Sequence, residues 1–489
     1  GLAYNLGGDN KTAVRAGYGI YFVREDVGSV DQLSFQAPFL PIAFGGGLPG
    51  CLSTYFSASA SANCIPTGFT SNPNALPTAG TLSSSFIPCT SALQGFNGGD
   101  PTQAANFGCA AGSPGSVPTQ YLFVLGVPRH FVSPNTQQWN LTVQRDLGKQ
   151  WILEVGYIGT HAIHLRETRT DIPEQIASPA NPVVLTDVNG NKYTITQNTI
   201  ANGPARSSNP GINGYSGYQI FASDAYSHYN ALQSTLSKHW ANGYVQAAYT
   251  FSKSTDATSS GNTAFNTAFN NESTLQDSRG LSDFDRPNRF VLSYRYNLPF
   301  FSSAKGWEQV VLGGWSISGI TVLMSGTPFS VIDSSGGSAY MGPGYTTTLT
   351  GNLAPGGSIA KGYTTGGIKN AVNNGYLNSN NFTPAPFLYY GSGPCPDPTG
   401  NTCVTTFGDL GRNAFRGPHQ QNWDFSLQKN FMLTERFNLR FGVDFFNIFN
   451  HANFANPAVT DVEAGNGFGR IISTTGTPRL IQFSLRFAF

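Results

Sequence analysis

The sequence predicts an all-β protein, an antiparallel transmembrane β-barrel with long extracellular loops, and three observations predict it. Segments that alternate apolar with polar residues recur along the whole chain. Short links between these segments alternate with very long ones. Only 11% of the 489 residues are charged, whereas soluble domains usually carry about 25%.

Charge is replaced by Gly (57 residues), by aromatics (13%) and by Ser, Thr and Asn. The formal net charge of +1 leaves no basic stripe for nucleic acid, nor the high net charge that accompanies a disordered chain. No sustained 3.6-residue stripe is present, so helices are expected to be nearly absent. The longest apolar stretch, Trp315 to Met324, is short of the ~18 to 20 residues of a membrane helix. The chain opens on Gly-Leu-Ala-Tyr, without initiator Met, basic n-region or apolar h-region; a processed form or an internal fragment is expected.

The first full strand is expected at Thr12 to Phe22, where Val14, Ala16, Tyr18, Ile20 and Phe22 share one face and Arg15, Gly17 and Gly19 the other. Trp139, Leu141 and Val143, then Trp151, Leu153, Val155 and Tyr157, continue the pattern, with Glu154 on the opposite parity. Val245, Ala247, Tyr249 and Phe251 form another face, and Phe290, Leu292, Tyr294 and Tyr296 one opposed by Arg295. Near the C-terminus Trp423, Phe425 and Leu427 oppose Asp424, and Phe437 to Phe445 oppose Arg440 and Asp444. The last run, Ile481, Phe483, Leu485, Phe487 and Phe489, opposes Arg486. Tyr229 to Ser237 and Trp315 to Met324 are apolar in both parities; bulges are expected there and no facing is assigned.

Alternation alone does not say which face meets solvent, but the connections do. Tight links at Gly7 to Lys11, Asp146 to Gln150, His239 to Gly243, Pro299 to Gln309 and Met432 to Glu435 alternate with long ones of roughly 24–134, 164–227, 253–286, 333–419 and 450–477. A soluble domain rarely holds even one structureless loop beyond ~15 residues. Strict alternation is the topology of an outer-membrane barrel, with short periplasmic turns and long outer loops. Strands of ~9 to 11 residues suit a tilted crossing, and Trp139, Trp151, Tyr157, Tyr249, Tyr296 and Trp423 suit interfacial girdles. Arg145 shares parity with the apolar face but sits at a strand end, where it can snorkel. Counting Leu2 to Leu6, about 11 strands result, whereas single-chain bacterial barrels have an even number; part of the barrel is expected N-terminal to this chain.

All six cysteines fall in two of the long loops. Cys395 and Cys403 bracket a Pro-rich segment and are expected to pair. Cys51, Cys64, Cys89 and Cys109 allow three connectivities, sequential pairing being the simplest. Disulfides fit an oxidising compartment; zinc is disfavoured, as no Cys-x-x-Cys is present and no His is close by.

His161 and His164 have ligand-pair spacing but no evident third ligand. Asp277, Asp283 and Asp285 with Arg279, Arg286 and Arg289 form the densest charge cluster, without the spacing of a calcium loop; a salt-bridged strand entrance that orders a loop is the preferred reading. No nucleophile elbow, P-loop, dinucleotide fingerprint or His-Glu-x-x-His occurs, so neither enzyme nor cofactor is expected.

Seven runs carry a family resemblance. They are Lys11 to Phe22 (KTAVRAGYGIYF), Tyr229 to Gln233 (YNALQ), Tyr249 to Lys253 (YTFSK), Asp283 to Ser293 (DFDRPNRFVLS), Gly313 to Ile320 (GGWSISGI), Ser325 to Val331 (SGTPFSV) and Phe445 to Phe454 (FFNIFNHANF). In order and over nearly the whole chain, they resemble the C-terminal half of Oar-like TonB-dependent outer-membrane receptors of the acidobacterial type. That resemblance implies a 22-stranded barrel, about wide enough to hold an N-terminal plug, of which the strands here are the last half. Upstream it implies a carboxypeptidase-regulatory-like domain, the plug and an energy-coupling box, none of which this sequence contains. Phe483, Leu485, Phe487 and Phe489 resemble the signal read by the barrel-assembly machinery. Implied partners are the lipid bilayer, that machinery, the TonB complex through the N-terminal region, and a ligand of unknown identity. The implied location is the bacterial outer membrane, with the loops outside and the C-terminus periplasmic.

The expected function is therefore ligand capture by the loops and energy-coupled uptake through a plugged lumen. Arg15, Glu154, Arg295, Asp424, Arg440, Asp444 and Arg486 would line the lumen and either hold the plug or merely solvate the wall. The alternatives are a passive porin or surface adhesin anchored by the barrel and, outside the membrane, a soluble lectin-like β-sandwich.

Overall fold

The computed structural model describes residues 1–8, 10–23, 123–126, 130, 132–170, 175, 177–186, 192–196, 217–259, 270, 275–301, 306–334, 349–388, 404–405, 407–432 and 438–488. All six cysteines and Phe489 lie outside the described residues, and with them the expected disulfides and the last position of the assembly signal.

Period-two segments become one antiparallel meander. Its path runs through β1 (Leu2–Asn5), β2 (Thr12–Phe22), β3 (Asn135–Gly148), β4 (Trp151–Thr170), β5 (Gly217–Trp240) and β6 (Gly243–Asp256). It continues through β7 (Asn288–Asn297), β8 (Trp315–Met324), β9 (Gln420–Met432), β10 (Asn438–Phe446) and β11 (Leu480–Ala488). Phe123–Gly126 adds a parallel partner to the start of β5, and Gly280–Leu281 pairs with the end of β6. Among the described residues β1 and β11 each have a single sheet neighbour.

Register decides facing. One row crosses the sheet as Arg15, Thr142, Gly156, Gln233, Thr250 and Arg289. A second runs Tyr244, Arg295, Ser318, Ser426, Asp444 and Gln482. Because directly opposed residues point to the same side, Glu154, Asp424, Arg440 and Arg486 fall on that side too. The other side carries rows such as Leu141, Tyr157, Leu232 and Phe251, or Ile317, Leu427, Val443 and Phe483. No described residue covers these rows: Phe483 is 70% exposed, Leu485 69% and Phe251 55%. Leaving so much apolar surface in water would cost about 25 cal/mol per Å², and a continuous patch of this kind marks a surface made for lipid or a partner.

At the short-turn end this face ends in aromatics and lysines. Lys238 Nζ stands 5.2 Å from the Trp151 ring centroid and 5.8 Å from that of Trp240; Lys429 Nζ stands 4.7 Å from that of Phe431 and 5.9 Å from that of Trp315. The half-buried Lys238 with its two indoles suits a membrane–water border, whereas Lys429 is buried and donates from Nζ to Gly313 O. Higher up, Trp139 lies across Gly159, where a Cβ would meet the indole at 2.2 Å; only glycine admits that ring.

Three expectations change. Tyr229 to Ser237 and Trp315 to Met324 hold continuous register with both neighbours; small residues and Ile320 or Val322 on the polar side blur the parity without a bulge. The irregularity lies in β4, where the register against β5 shifts between Ala162 and Glu167 around His164 at φ 58°. The connection expected over 164–227 is shorter, because β4 and β5 continue past it and pair out to Thr170 and Gln219, with Ile220, Phe221, Ala222 and Ala225 buried. Helices are nearly absent among the described residues, as expected; the α-helices there are short, α1 (Trp307–Leu312) in the link between β7 and β8 and α2 (Gly367–Asn374) in the long connection before β9.

Candidate functional site

Beyond the long-loop ends of β6 to β11 the connections fold together, and the assembly is built on aromatic residues. Phe329, Val331, Leu377, Phe382, Leu410, Phe415 and Phe468 form one buried cluster. Phe415 is fully buried and meets Phe382 edge-on at 5.2 Å and Tyr363 at 5.8 Å; Phe382 meets Phe468 at 5.3 Å. Edge-to-face packing adds about 0.5–1.5 kcal/mol per pair beyond area burial. Short ladders brace the cluster: Pro328–Phe329 with Phe415–Arg416, Asn352–Leu353 with Phe382–Thr383, and Asn453–Phe454 with Thr474–Thr475. Gly408 lies so close that a Cβ would meet the Thr350 carbonyl oxygen at 1.7 Å.

Polar groups inside the assembly are matched. The Tyr363 hydroxyl accepts from Arg416 N at 2.8 Å and the Tyr376 hydroxyl donates to Arg416 O at 2.9 Å. Burial pushes both hydroxyls above the ordinary tyrosine range, and for Tyr376 the neighbouring Tyr363 adds to it. Both stay neutral at physiological pH and can serve those roles. Asn270, from the connection after β6, accepts from Thr350 N at 3.0 Å and donates to Gly408 O at 3.0 Å.

Two arginines lock the assembly to the sheet. Arg412 Nε donates to Ser278 O at 2.8 Å, Nη1 to Ser259 Oγ at 3.2 Å and Nη2 to Asp256 O at 2.9 Å, while Nη2 also pairs with the Asp256 carboxylate. Both side chains of that pair are almost wholly buried, at 2% and 3% exposure. Arg416 Nη2 pairs with Asp285 Oδ2 at 2.6 Å and Nη1 reaches Asp285 O and Gly326 O; Asp285 Oδ1 accepts from Ser254 N at 2.6 Å. Asn413 Nδ2 joins Leu281 O and Asp283 Oδ1, both at 2.7 Å. Asp283 and Asp285 thus do order a strand entrance, but their ion-pair partners are Arg412 and Arg416, some 130 residues away, not the neighbouring Arg279, Arg286 and Arg289. Arg286 instead donates to Ser325 O at 2.6 Å, and burial, with Arg416 and Arg289 nearby, lowers its pKa.

A protein-family model described as an outer membrane beta barrel domain matches residues 1–482. The chain belongs to that family. Its uncovered apolar face is accordingly the lipid-facing side of a barrel in the bacterial outer membrane. Comparison with curated proteins gives no match. Among solved structures, the outer membrane transporter YddB from Escherichia coli aligns with 99% of this chain and 39% of its own, at 8% identity and TM-score 0.40. The ferripyoverdine receptor of Pseudomonas aeruginosa aligns with 74% of this chain and 28% of its own, at 12% identity and TM-score 0.33. The ferric citrate transporter FecA aligns with 73% and 31%, at 11% identity and TM-score 0.29. The chain thus spans well under half the length of each.

Within the barrel, the seven predicted polar residues share a side but not a role. Arg15 Nη1 donates to Gln144 Oε1 at 2.8 Å. Asp424 Oδ1 accepts from Asn447 N at 2.9 Å, fixing the turn after β10, where Asn447 at φ 50° also bonds the His451 backbone. Arg440 lies directly opposite Arg486, and neither has an ion-pair partner among the described residues. Asp333, Asp461 and Glu463 bring carboxylate oxygens within 4.8 Å of one another across two connections. These are oxygen donors of the kind hard cations take, though Asp461 Oδ1 already receives N–H groups from Ser334 and Glu463, and Asp333 Oδ2 one from Ala385. His164, offered by spacing as a partner of His161, instead donates from Nδ1 to Ser223 O at 3.2 Å.

Proposed function

We propose that the chain is the barrel portion of a TonB-dependent receptor or transporter, with the loop assembly outside the cell capturing a ligand above a lumen that holds a plug. The observation that carries this reading is the folded assembly itself. A passive pore gains nothing from a buried arginine latch and an aromatic core built over the strand ends, whereas a receptor needs a pre-ordered surface to bind with little entropic cost. The seven family-like sequence runs support the same reading, and the mixed-charge side of the sheet is then the lumen wall. The C-terminus and the short turns, with the Lys238 anchor, lie in the periplasm.

On this reading Arg440 and Arg486 dock acidic groups of the plug. Two guanidiniums opposed without counter-charge repel, so in the chain by itself Arg486→Ala stabilises the β10–β11 pair by about 0.2–1 kcal/mol, measured by urea unfolding in detergent. In the complete gene product the same change weakens plug retention and admits large antibiotics, read as increased sensitivity to vancomycin. A stabilised chain with unchanged permeability would mean that these arginines only solvate the wall.

Uptake tests the function directly. Cells producing the complete gene product should deplete a specific solute from a complex medium only when the proton-motive force is intact. The depletion should fail with Arg412→Ala. Broad leakage that a protonophore leaves unchanged would instead make the protein a passive porin.

A further inference from the structure

We propose that His161 and His228 form a binding site for one divalent transition-metal ion of the zinc or copper type. The two residues are direct cross-strand partners in the β4–β5 ladder. Their imidazole rings stack with centroids 4.1 Å apart and planes within 15°, and Tyr226 packs edge-on against His228 at 5.7 Å. Imidazole nitrogens bind such a metal at about 2.0–2.1 Å, so two that share an ion stand roughly 3–3.5 Å from each other at the usual coordination angles. The metal must lie in the plane of each ring, so the stacked imidazoles have to swing apart about χ1 and χ2 to aim a nitrogen each at one ion. The ladder sets the two histidines directly opposite and fixes both backbones in advance.

Oxygen donors flank the pair in register, Gln137 opposite His161 and Thr255 opposite His228, and water can complete the shell. Imidazole suits zinc, copper and nickel rather than calcium or magnesium, and copper(II) binds tightest of that series. Arg279, a cation acting on His228, gives no electrostatic help, so affinity rests on the two nitrogens.

Position makes the site reachable. His228 lies twelve residues along β5 from the girdle residue Trp240. At about 3.3 Å per residue and a tilt of about 45° that is just under 30 Å of membrane thickness, which sets the pair at the far border of the lipid-facing band, in contact with water. Both rings are half-buried, not sealed.

The test uses the whole chain, folded in detergent micelles and free of affinity tags, titrated with copper(II) and with zinc. One copper(II) should bind per chain with an electron paramagnetic resonance signature of two nitrogen ligands. His161→Gln and His228→Gln should each weaken binding on the order of tenfold or more, since losing a ligand exceeds the loss of its supporting hydrogen bond. His164→Gln, which removes a histidine three residues away, should leave it unchanged. Retained heat-modifiable migration shows that each variant is folded. An absence of stoichiometric copper(II) binding, or binding that survives either His161→Gln or His228→Gln, would overturn the proposal.

Discussion

Arg412→Ala should release the loop assembly while leaving the barrel strands intact. The substitution removes donors to Ser278, Ser259, Asp283 and Asp256 and leaves the Asp256 carboxylate buried with no guanidinium. Removing one partner of a buried pair costs about 3–5 kcal/mol, much of it the penalty on the charge left behind. That cost falls on the junction between the assembly and the β6 and β7 ends, because the strand ladders do not involve Arg412. Limited proteolysis of intact cells should therefore cut within residues 326–476 at least about a hundredfold faster, while heat-modifiable migration of the barrel persists. Arg412→Lys should not rescue it, since a single ammonium cannot reproduce a fork that reaches Ser278, Ser259, Asp283 and Asp256 at once. Slow, wild-type-like cleavage of Arg412→Ala would remove the latch from the account.

Phe415→Ala should be as damaging by a different route. Phe415 is fully buried and touches the rings of Phe329, Tyr363 and Phe382; Gly362 approaches it so closely that a Cβ would lie 2.6 Å from its ring. Deleting a ring in such packing costs about 3–5 kcal/mol as lost transfer energy plus cavity, and Phe415→Leu should cost distinctly less. Because Phe415 sits on the ladder that also carries Arg416, its loss should loosen the Arg416–Asp285 contact too. The double variant with Arg412→Ala should then cost less than the sum of the two, as expected of neighbours in one cooperative unit. Strict additivity would mean that core and latch are independent.

The barrel was legible in the sequence and the assembly was not, for a physical reason. A strand apolar on one side and polar on the other repeats every two residues, so Leu439, Phe441, Val443 and Phe445 against Arg440 and Asp444 announce the element and which residues share a side. Parity gave no facing where a strand's polar side also carries Tyr229 and Ala231, or Ile320 and Val322. The loop core has no period. Phe329, Phe382, Phe415 and Phe468 stand singly in stretches rich in Gly, Ser and Thr, and they meet only through contacts that span tens of residues. Its one sequence signal was two arginines four apart, Arg412 and Arg416, in a chain with 27 Lys and Arg in all. Asp283 and Asp285 stood out at once, but a linear reading pairs them with the arginines beside them. His161 fared likewise: spacing offered His164, and only the ladder brings up His228.

The central claim is that the polar side of the sheet faces a lumen and the apolar side faces lipid beneath an ordered outer assembly. Spin labels placed one at a time at residues 438–446, in a background with the six cysteines replaced by serine, test it most directly in liposomes. Labels at 439, 441, 443 and 445 should be relaxed by lipid-soluble oxygen, and those at 440, 442 and 444 by a water-soluble nickel complex, alternating along β10. Loss of that alternation, or its inversion, would contradict the account.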